Sequence, residues 1–442
     1  MSDRAPTSVG FMLRALRYRN YRLFFGGQVV SLVGSWITTT ATNWLVYRLT
    51  GSAVLLGTVA FASQLPSFLL GPFAGIIVDR IDRHRLLVIT QTISMLQSFA
   101  LVALVFSGHV SIEWLIALGI VQGLVNAFDM PARQAFLLTM VENREDLGNA
   151  IALNSSMVNL ARLIGPSIAG IVIVAVGEGW CFAIDGVSYI AVIVALLRMR
   201  IAPAPARPSR ERHAVAEFLE GLRYAFGFHP IRSVILLLAV VSLVGVPYSV
   251  LMPVFATEVF HGGPHTLGLL MTSSGCGALV GALWLAGRRS VVGLGRVIPM
   301  AAAVFGAGLI AFSVAPALWL AMPCLVLAGF GFMVQMASSN TIIQTIVEDE
   351  KRGRVMSFYM MAFLGTAPFG SLMAGWMSSR IGPAHTLQVG GVSCLMAAVW
   401  FARTLPAIRQ VVRPIYVRLG ILPEVASGLS TAAEASVPPE RG

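Results

Sequence analysis

Five ionisable side chains lie in or at the rim of the long apolar stretches of this 442-residue chain: Asp129, Arg133, Arg162, Asp185 and Glu258. In an apolar solvent such a group needs a counter-charge, a charged ligand or a proton. Arg162, near the middle of its stretch, calls for an anion. Asp129 is the acid at similar depth on the neighbouring stretch, and Arg133 competes for it at i+4. Two readings stay open for this trio: a structural ion network, or a substrate or proton site. Asp185, one turn into its stretch, is the better buried candidate for proton coupling, and could equally pair locally. Glu258 sits at an outer end and could simply be hydrated. Nucleophile and metal chemistry find no matching spacing. The seven His are scattered. Cys181, Cys276, Cys324 and Cys394 lie far apart in apolar surroundings and read as small core residues. No catalytic or metal-binding residue is assigned, and an embedded enzyme is excluded for want of a mid-depth His, Asp or Cys cluster.

The setting of these residues follows from composition. Hydrophobic residues make up 56% of the chain and charged residues 12%, which excludes an ordinary soluble domain. At roughly 20 residues per span plus short loops, about twelve spans fit. The expected fold is an all-α polytopic membrane protein. A net charge of +11 would suggest nucleic acid in a soluble chain; basic cytoplasmic loops explain it here, and no nucleic-acid partner is expected. The first twenty residues show no cleavable signal.

In chain order, the sequence divides into a cytoplasmic arm (1–22), six spans (23–200), a linker (201–229), six further spans (230–405) and a tail (406–442). Arg17, Tyr18, Tyr21 and Arg22 form a basic and aromatic interface anchor ahead of span 1. The linker is rich in Pro, Ala and Arg. It ends in an amphipathic helix over 214–228, with Phe218, Leu222 and Phe226 on one face, expected to lie on the membrane surface. The tail is basic, then disordered in part.

One hairpin, Gly75 to Arg85, fixes the orientation. Between Asp79 and Arg85 six of seven residues are charged or titratable, so this turn lies at a membrane surface. Arg80, Arg83, Arg85, Arg144, the linker, Arg288, Arg289, Lys351, Arg352 and Arg354 fall in alternate turns. The opposite turns, near 107–111, 177–179, 261–265 and 315–317, carry no Arg or Lys. Arg48 and Arg380 are the exceptions. Both termini are therefore expected in the cytoplasm. The halves also match each other: Gly75 with Gly281, Arg83 with Arg289, and Thr139 to Glu142 with Thr345 to Glu348, all at a shift of 206 (281−75, 289−83, 345−139). A repeat in the same orientation implies two six-helix halves related by an axis along the membrane normal.

With the hairpin and the repeat in view, the chain resembles the major facilitator superfamily over about residues 15–405. Gly75-x-x-x-Asp79-Arg80-x-x-Arg83-x-Arg85 is similar to that family's signature between helices 2 and 3, departing at Asp82, where the family has Gly. The copy at Gly281–Arg289 lacks the acid. Asn126 to Gln134 and the Arg17–Arg22 entry resemble the enterobactin-exporter and drug-efflux branch. The resemblance implies a cytoplasmic gate of Gly75, Asp79, Arg80, Arg83 and Arg85, joined by Asp129 or Glu142. Gly75 would let helices approach closely. Gly165, Pro166 and Gly170 in span 5 are similar to the family's antiporter signature. Pro166 has no N–H for the carbonyl of Arg162, favouring a hinge. The family's helix-4 basic residue is replaced by Gly119, so coupling falls to Asp129, Asp185 or Glu258.

The family's cavity arrangement, carried onto these spans, makes Ser35, Thr39, Gln122, Asn126, Tyr248, Gln335 and Asn340 the cavity candidates. Interhelical hydrogen bonding explains each of them as well. The implied function is secondary active transport: a proton-coupled exporter of small amphipathic molecules, such as a siderophore or drug, working by alternating access. An importer, or a non-transporting sensor on the same fold, are the rivals. A proton gradient is the energy source, with no cofactor. A monomer in the plasma membrane of a bacterium is expected.

Overall fold

The computed structural model describes residues 13–141, 143–200, 222–288, 290–419 and 421. Outside them fall Glu142, Arg289, the linker through residue 221 and the end of the tail, and the side chains of Asp79 and Arg144 are likewise not described. A 3-10 turn, Arg14–Arg17, leads into α1 (Arg19–Thr50), followed by α2 (Ala53–Arg80), α3 (Arg83–Phe106), α4 (Ile112–Met140), α5 (Arg144–Val176) and α6 (Glu178–Leu197). The second half comprises α7 (His229–Val259), α8 (Pro264–Ala286), α9 (Leu294–Ser313), α10 (Leu318–Ile346), α11 (Lys351–Ile381) and α12 (Pro383–Arg418). Eleven of these are long and apolar enough to cross a membrane. α1 has the length, at 32 residues, but is diluted by Ser35, Thr38, Thr39, Thr42 and Asn43. It packs on α5 and α6.

Local chemistry sets the ends. Ser52 caps α2 by accepting from the Leu55 N–H, and Gly51, at φ 58°, closes α1 in the left-handed region. Asp82, the departure from the family pattern, is the N-cap of α3. Its carboxylate accepts from the N–H groups of His84 (2.9 Å) and Arg85 (3.1 Å). Asp82→Ala is expected to lower stability by about 1 kcal/mol, read as a small fall in Tm of the purified protein.

Three elements differ from the sequence expectation. α12 does not stop near Leu405. It runs on to Arg418 through Pro406 and Pro414, because Ile408, Val412 and Ile415 continue an apolar stripe packed on the core. α7 is broken by π turns at Val241–Gly245 and Phe255–Val259 and a 3-10 turn at Val246–Ser249, around Pro247 and Pro253, which donate no backbone hydrogen bond. α11 has a π turn at Met361–Gly365 ahead of Pro368. Of the amphipathic helix, residues 222–228 are described. Leu222, Tyr224 and Phe228 pack against the core of the second half while Phe226 is exposed, so this end is docked on the bundle.

The halves meet along two seams, α5 against α8 and α2 against α11. Advancing by six helices turns one seam into the other, as the repeat requires. Both seams are made by glycines. A Cβ on Gly57 would stand 2.5 Å from the Ser371 carbonyl, and one on Gly375 2.5 Å from that of Ala53. Across the other seam, a Cβ on Gly268 would stand 2.8 Å from the Pro166 carbonyl, and one on Gly170 2.9 Å from that of Pro264. Backbones this close leave no room for a side chain. These contacts cluster in the half of the bundle away from the termini, here called the far half.

Candidate functional site

Asp129, on α4, is 4% exposed. It pairs with Arg133 one turn on, and accepts from the Thr90 hydroxyl and the Gln91 amide of α3, both at 2.8 Å. Its charge is thus matched, and its second oxygen is spent on tying α4 to α3. Met140 ends α4 eleven residues further on (140−129), roughly 16 Å at 1.5 Å per residue. In this state Asp129 is held by Arg133, Thr90 and Gln91, within the helix pair and back from the α2–α3 turn.

Arg162 is not brought to Asp129 either. Its guanidinium lies over the Trp36 ring of α1 at 5.7 Å and the Phe332 ring of α10 at 5.8 Å. It thus stands between the two halves. Gly165, one turn on, lets α5 press against α1: a Cβ there would be 2.4 Å from that of Trp36. α5 continues as one helix through Pro166.

Asp185, on α6, is 2% exposed. One oxygen accepts from the Ser98 hydroxyl of α3 at 3.0 Å, and the other accepts no well-formed hydrogen bond. No arginine or lysine is paired with it among the described residues. Space for it comes from Gly34 of α1, where a Cβ would fall 2.7 Å from the carboxylate. Ser35 and Tyr189 join hydroxyls beside it at 3.2 Å.

The cavity candidates divide. Gln122 donates to Asn126 (3.1 Å) and Ser94 (3.3 Å), and Asn126 is exposed. Asn340 accepts from the exposed Gln344 at 3.0 Å, and Thr39 is exposed. By contrast Gln335 is fully buried beside Ser339, and Tyr248 is buried with its hydroxyl 2.5 Å from that of Ser274. Both are core polar groups of the second half in this state: α7 turns Tyr248 onto α8, and Gln335 is sealed along α10. Exposed polar residues also appear at Gln134, Ser155 and Ser156, in the parts of α4 and α5 nearer the termini.

At the hairpin, Arg80 and Arg85 are exposed and Arg83 half-buried. Gly75 makes no close approach: a Cβ there would meet nothing within 4 Å. Its repeat partner Gly281 does pack: a Cβ there would stand 3.0 Å from the Phe330 carbonyl. His84 reaches the Leu196 carbonyl at 2.8 Å, tying α3 to α6.

Several polar contacts were invisible in sequence. Asp146, buried at the start of α5, gathers Arg14 (2.9 Å), Arg17 (2.5 Å) and the Tyr18 hydroxyl (2.8 Å), so the basic arm grips the first half. Arg48, the exception to the charge rule, pairs with Glu178 at 2.7 Å. Arg380, the other, lies over the Trp376 ring. The Tyr47 hydroxyl donates to Glu258, joining α1 to α7 at the far end. Nothing in the spacing announces the pairs between helices, since their partners are 128 to 211 residues apart. Tyr47→Phe is expected to loosen far-end closure by about 1–3 kcal/mol. A cysteine placed at the far end of α7 in a cysteine-free background should then react faster with an impermeant maleimide.

A twelve-helix bundle of two repeated halves, joined by glycine seams around a polar opening, is the architecture of a membrane transporter. The family model described as transmembrane secretion effector matches residues 12–413, and the chain belongs to that family, within the major facilitator superfamily. Among its relatives, a staphyloferrin A transporter of Staphylococcus aureus is 28% identical over 86% of this chain and 95% of its own length. The multidrug efflux pump Tap of Mycolicibacterium fortuitum is 27% identical over 85% and 93%. Macrolide efflux protein A of Streptococcus pyogenes is 22% identical over 87% and 96%. In structure the chain is similar to a bacterial homologue of the human lysosomal transporter Spinster, solved inward-facing and unoccupied (TM-score 0.63, 16% identity, covering 91% and 98%). It is also similar to the nucleoside transporter NupG (TM-score 0.65, 13% identity, covering 89% and 99%). The protein is a non-enzymatic, multi-pass transporter of the bacterial plasma membrane.

Proposed function

We propose that this transporter is a proton-coupled exporter of small amphipathic molecules, exchanging substrate for protons by alternating access. The observation that carries the reading is the placement of the cross-half contacts. They hold the far ends together at Gly57–Gly375, Gly170–Gly268 and Tyr47–Glu258. Exposed Asn126, Gln134, Ser155 and Gln344 lie toward the termini. The hydrocarbon of a bilayer would not solvate these groups, so we read them as lining a wet cleft. With the basic turns on the cytoplasmic side, that cleft opens inward.

In this reading Asp129 is structural, held by Arg133. Asp185 takes the coupling proton, because among the described residues it is the buried acid with no cationic partner. Asp79, Arg80, Arg83 and Arg85 form the latch that closes the cytoplasmic side in the opposite state. The seam around Pro166, with the π turns of α7 and α11, supplies the flexing points. Two of the named relatives are efflux proteins by name, which favours export over import, and the names include a siderophore and macrolides. The working unit is a monomer, and the proton gradient is the energy source.

Inside-out vesicles test the reading. Acidifying their lumen should drive accumulation of a siderophore or macrolide from a substrate panel, and collapsing the gradient should abolish it. Accumulation only in right-side-out vesicles would mean import; none in either, with the protein bound to a partner, would mean a sensor.

A further inference from the structure

Arg162 carries the inference. We propose that it is the substrate-anchoring residue, and that the substrate class is amphipathic molecules bearing one carboxylate. This rests on the transport reading and deepens it by naming the chemistry of the ligand.

Two other arginines within the spans are matched to acids. Arg133 has Asp129, and Arg48 has Glu178. Arg162 lies fourteen residues from the far end of α5 (176−162), roughly 21 Å along the helix. Among the described residues no carboxylate is paired with it. It is half-buried rather than sealed, so a ligand can reach it. Cation–π contact with Trp36 and Phe332 offsets part of the cost of a half-buried cation, and among the described residues its donors have no hydrogen-bond acceptor. A planar guanidinium with five donors matches a carboxylate through two parallel hydrogen bonds. Among the described residues Arg162 is the one cation over the Trp36 and Phe332 rings, so a monoanion balances it and a dianion would leave an unmatched charge in a poor solvent. Trp36, half-buried on the first half, then receives the apolar part of the ligand. The guanidinium also touches the buried Phe332 ring of the second half, so a bound molecule acts on both halves through Arg162.

The position also links occupancy to movement. Gly275 of α8 packs on this turn of α5: a Cβ there would be 3.0 Å from the Leu163 Cα and 3.2 Å from the Arg162 carbonyl. A carboxylate that draws Arg162 toward the cleft acts directly on the α5–α8 seam.

The test is equilibrium binding to purified protein in nanodiscs. The probes are 1-naphthoate, its neutral methyl ester and the cation 1-naphthylmethylammonium. Naphthoate should bind at least about tenfold more tightly than the ester. Arg162→Ala should weaken naphthoate roughly 10- to 100-fold while leaving the ester within about twofold. Arg162→Lys should restore part of the preference, which shows that a folded variant is being measured. Equal binding of naphthoate and ester by the unaltered protein, preference for the cation, or a preference that survives Arg162→Ala would each overturn the proposal. Vesicle transport separates the two readings. Efflux of carboxylate substrates unaffected by Arg162→Ala sinks the anion site and leaves the exporter standing. Arginine-dependent binding without transport in either direction does the reverse.

Discussion

Asp185→Asn should uncouple transport from the proton gradient without stopping exchange. Asn keeps the size of the side chain and can still accept from Ser98, but it cannot gain or lose a proton. The carboxylate lies buried between α1, α3 and α6, with one oxygen poorly bonded and Gly34 holding the space around it. A gradient of two pH units and one proton per cycle supplies about 2.7 kcal/mol, enough to concentrate a neutral substrate about 100-fold. In the variant that accumulation should fall to no more than equilibration, while counterflow between labelled and unlabelled substrate persists. Asp129→Asn makes the contrast. It leaves the half-buried Arg133 without its partner, so it should lower expression and stability instead of separating coupling from exchange. If Asp185→Asn still concentrates substrate against a gradient, the proton is carried elsewhere.

Gly57→Leu should prevent closure of the far side. Even the Cβ would come 2.5 Å from the Ser371 carbonyl, and backbone on both sides leaves nothing to yield but the seam itself. Overpacking of this kind costs about 1–3 kcal/mol, which shifts a two-state equilibrium roughly 5- to 150-fold. The cost falls on the far-closed state, since that is where α2 and α11 touch. Labelling of cysteines at the far end should rise, and transport should fall by a similar factor. Gly71→Leu is the control. A Cβ at Gly71 meets nothing within 4 Å, so the same bulk on the same helix should leave labelling nearly unchanged. Equal effects at both positions would mean that a generally damaged helix, not the seam, is responsible.

Much of the architecture was legible from the chain because one solvent rule governs it. Apolar stretches of sufficient length predict the spans, and the bounds of α4 and α10 agree with the structure at both ends. α12 escaped because Pro406 reads as a stop, whereas packing of Ile408 and Val412 carries the helix past it. The breaks in α7 escaped for the opposite reason: a run of apolar residues hides turns set by Pro247 and Pro253.

The site was less legible. Individual charges stood out against an apolar background, so Asp129, Arg133, Arg162 and Asp185 could be named. Their pairing could not, since helix rotation decides it. Depth alone suggested Asp129 with Arg162, but α4 turns Asp129 toward α3, and α5 turns Arg162 toward Trp36 and Phe332. The same limit hid Asp146 and Glu178, whose acids look like ordinary helix starts. Asp82 went the other way, from an anomaly in a signature to a helix cap.

The central claim is that substrate leaves in exchange for protons. Purified protein in liposomes of known orientation, with no nucleotide present, tests it most directly through simultaneous recording of substrate and proton flux under an imposed pH gradient. The account predicts opposed fluxes in fixed ratio, substrate accumulation that reverses when the gradient is reversed, and loss of both in Asp185→Asn. Substrate movement indifferent to the gradient, or running in the same direction as the protons, would contradict it.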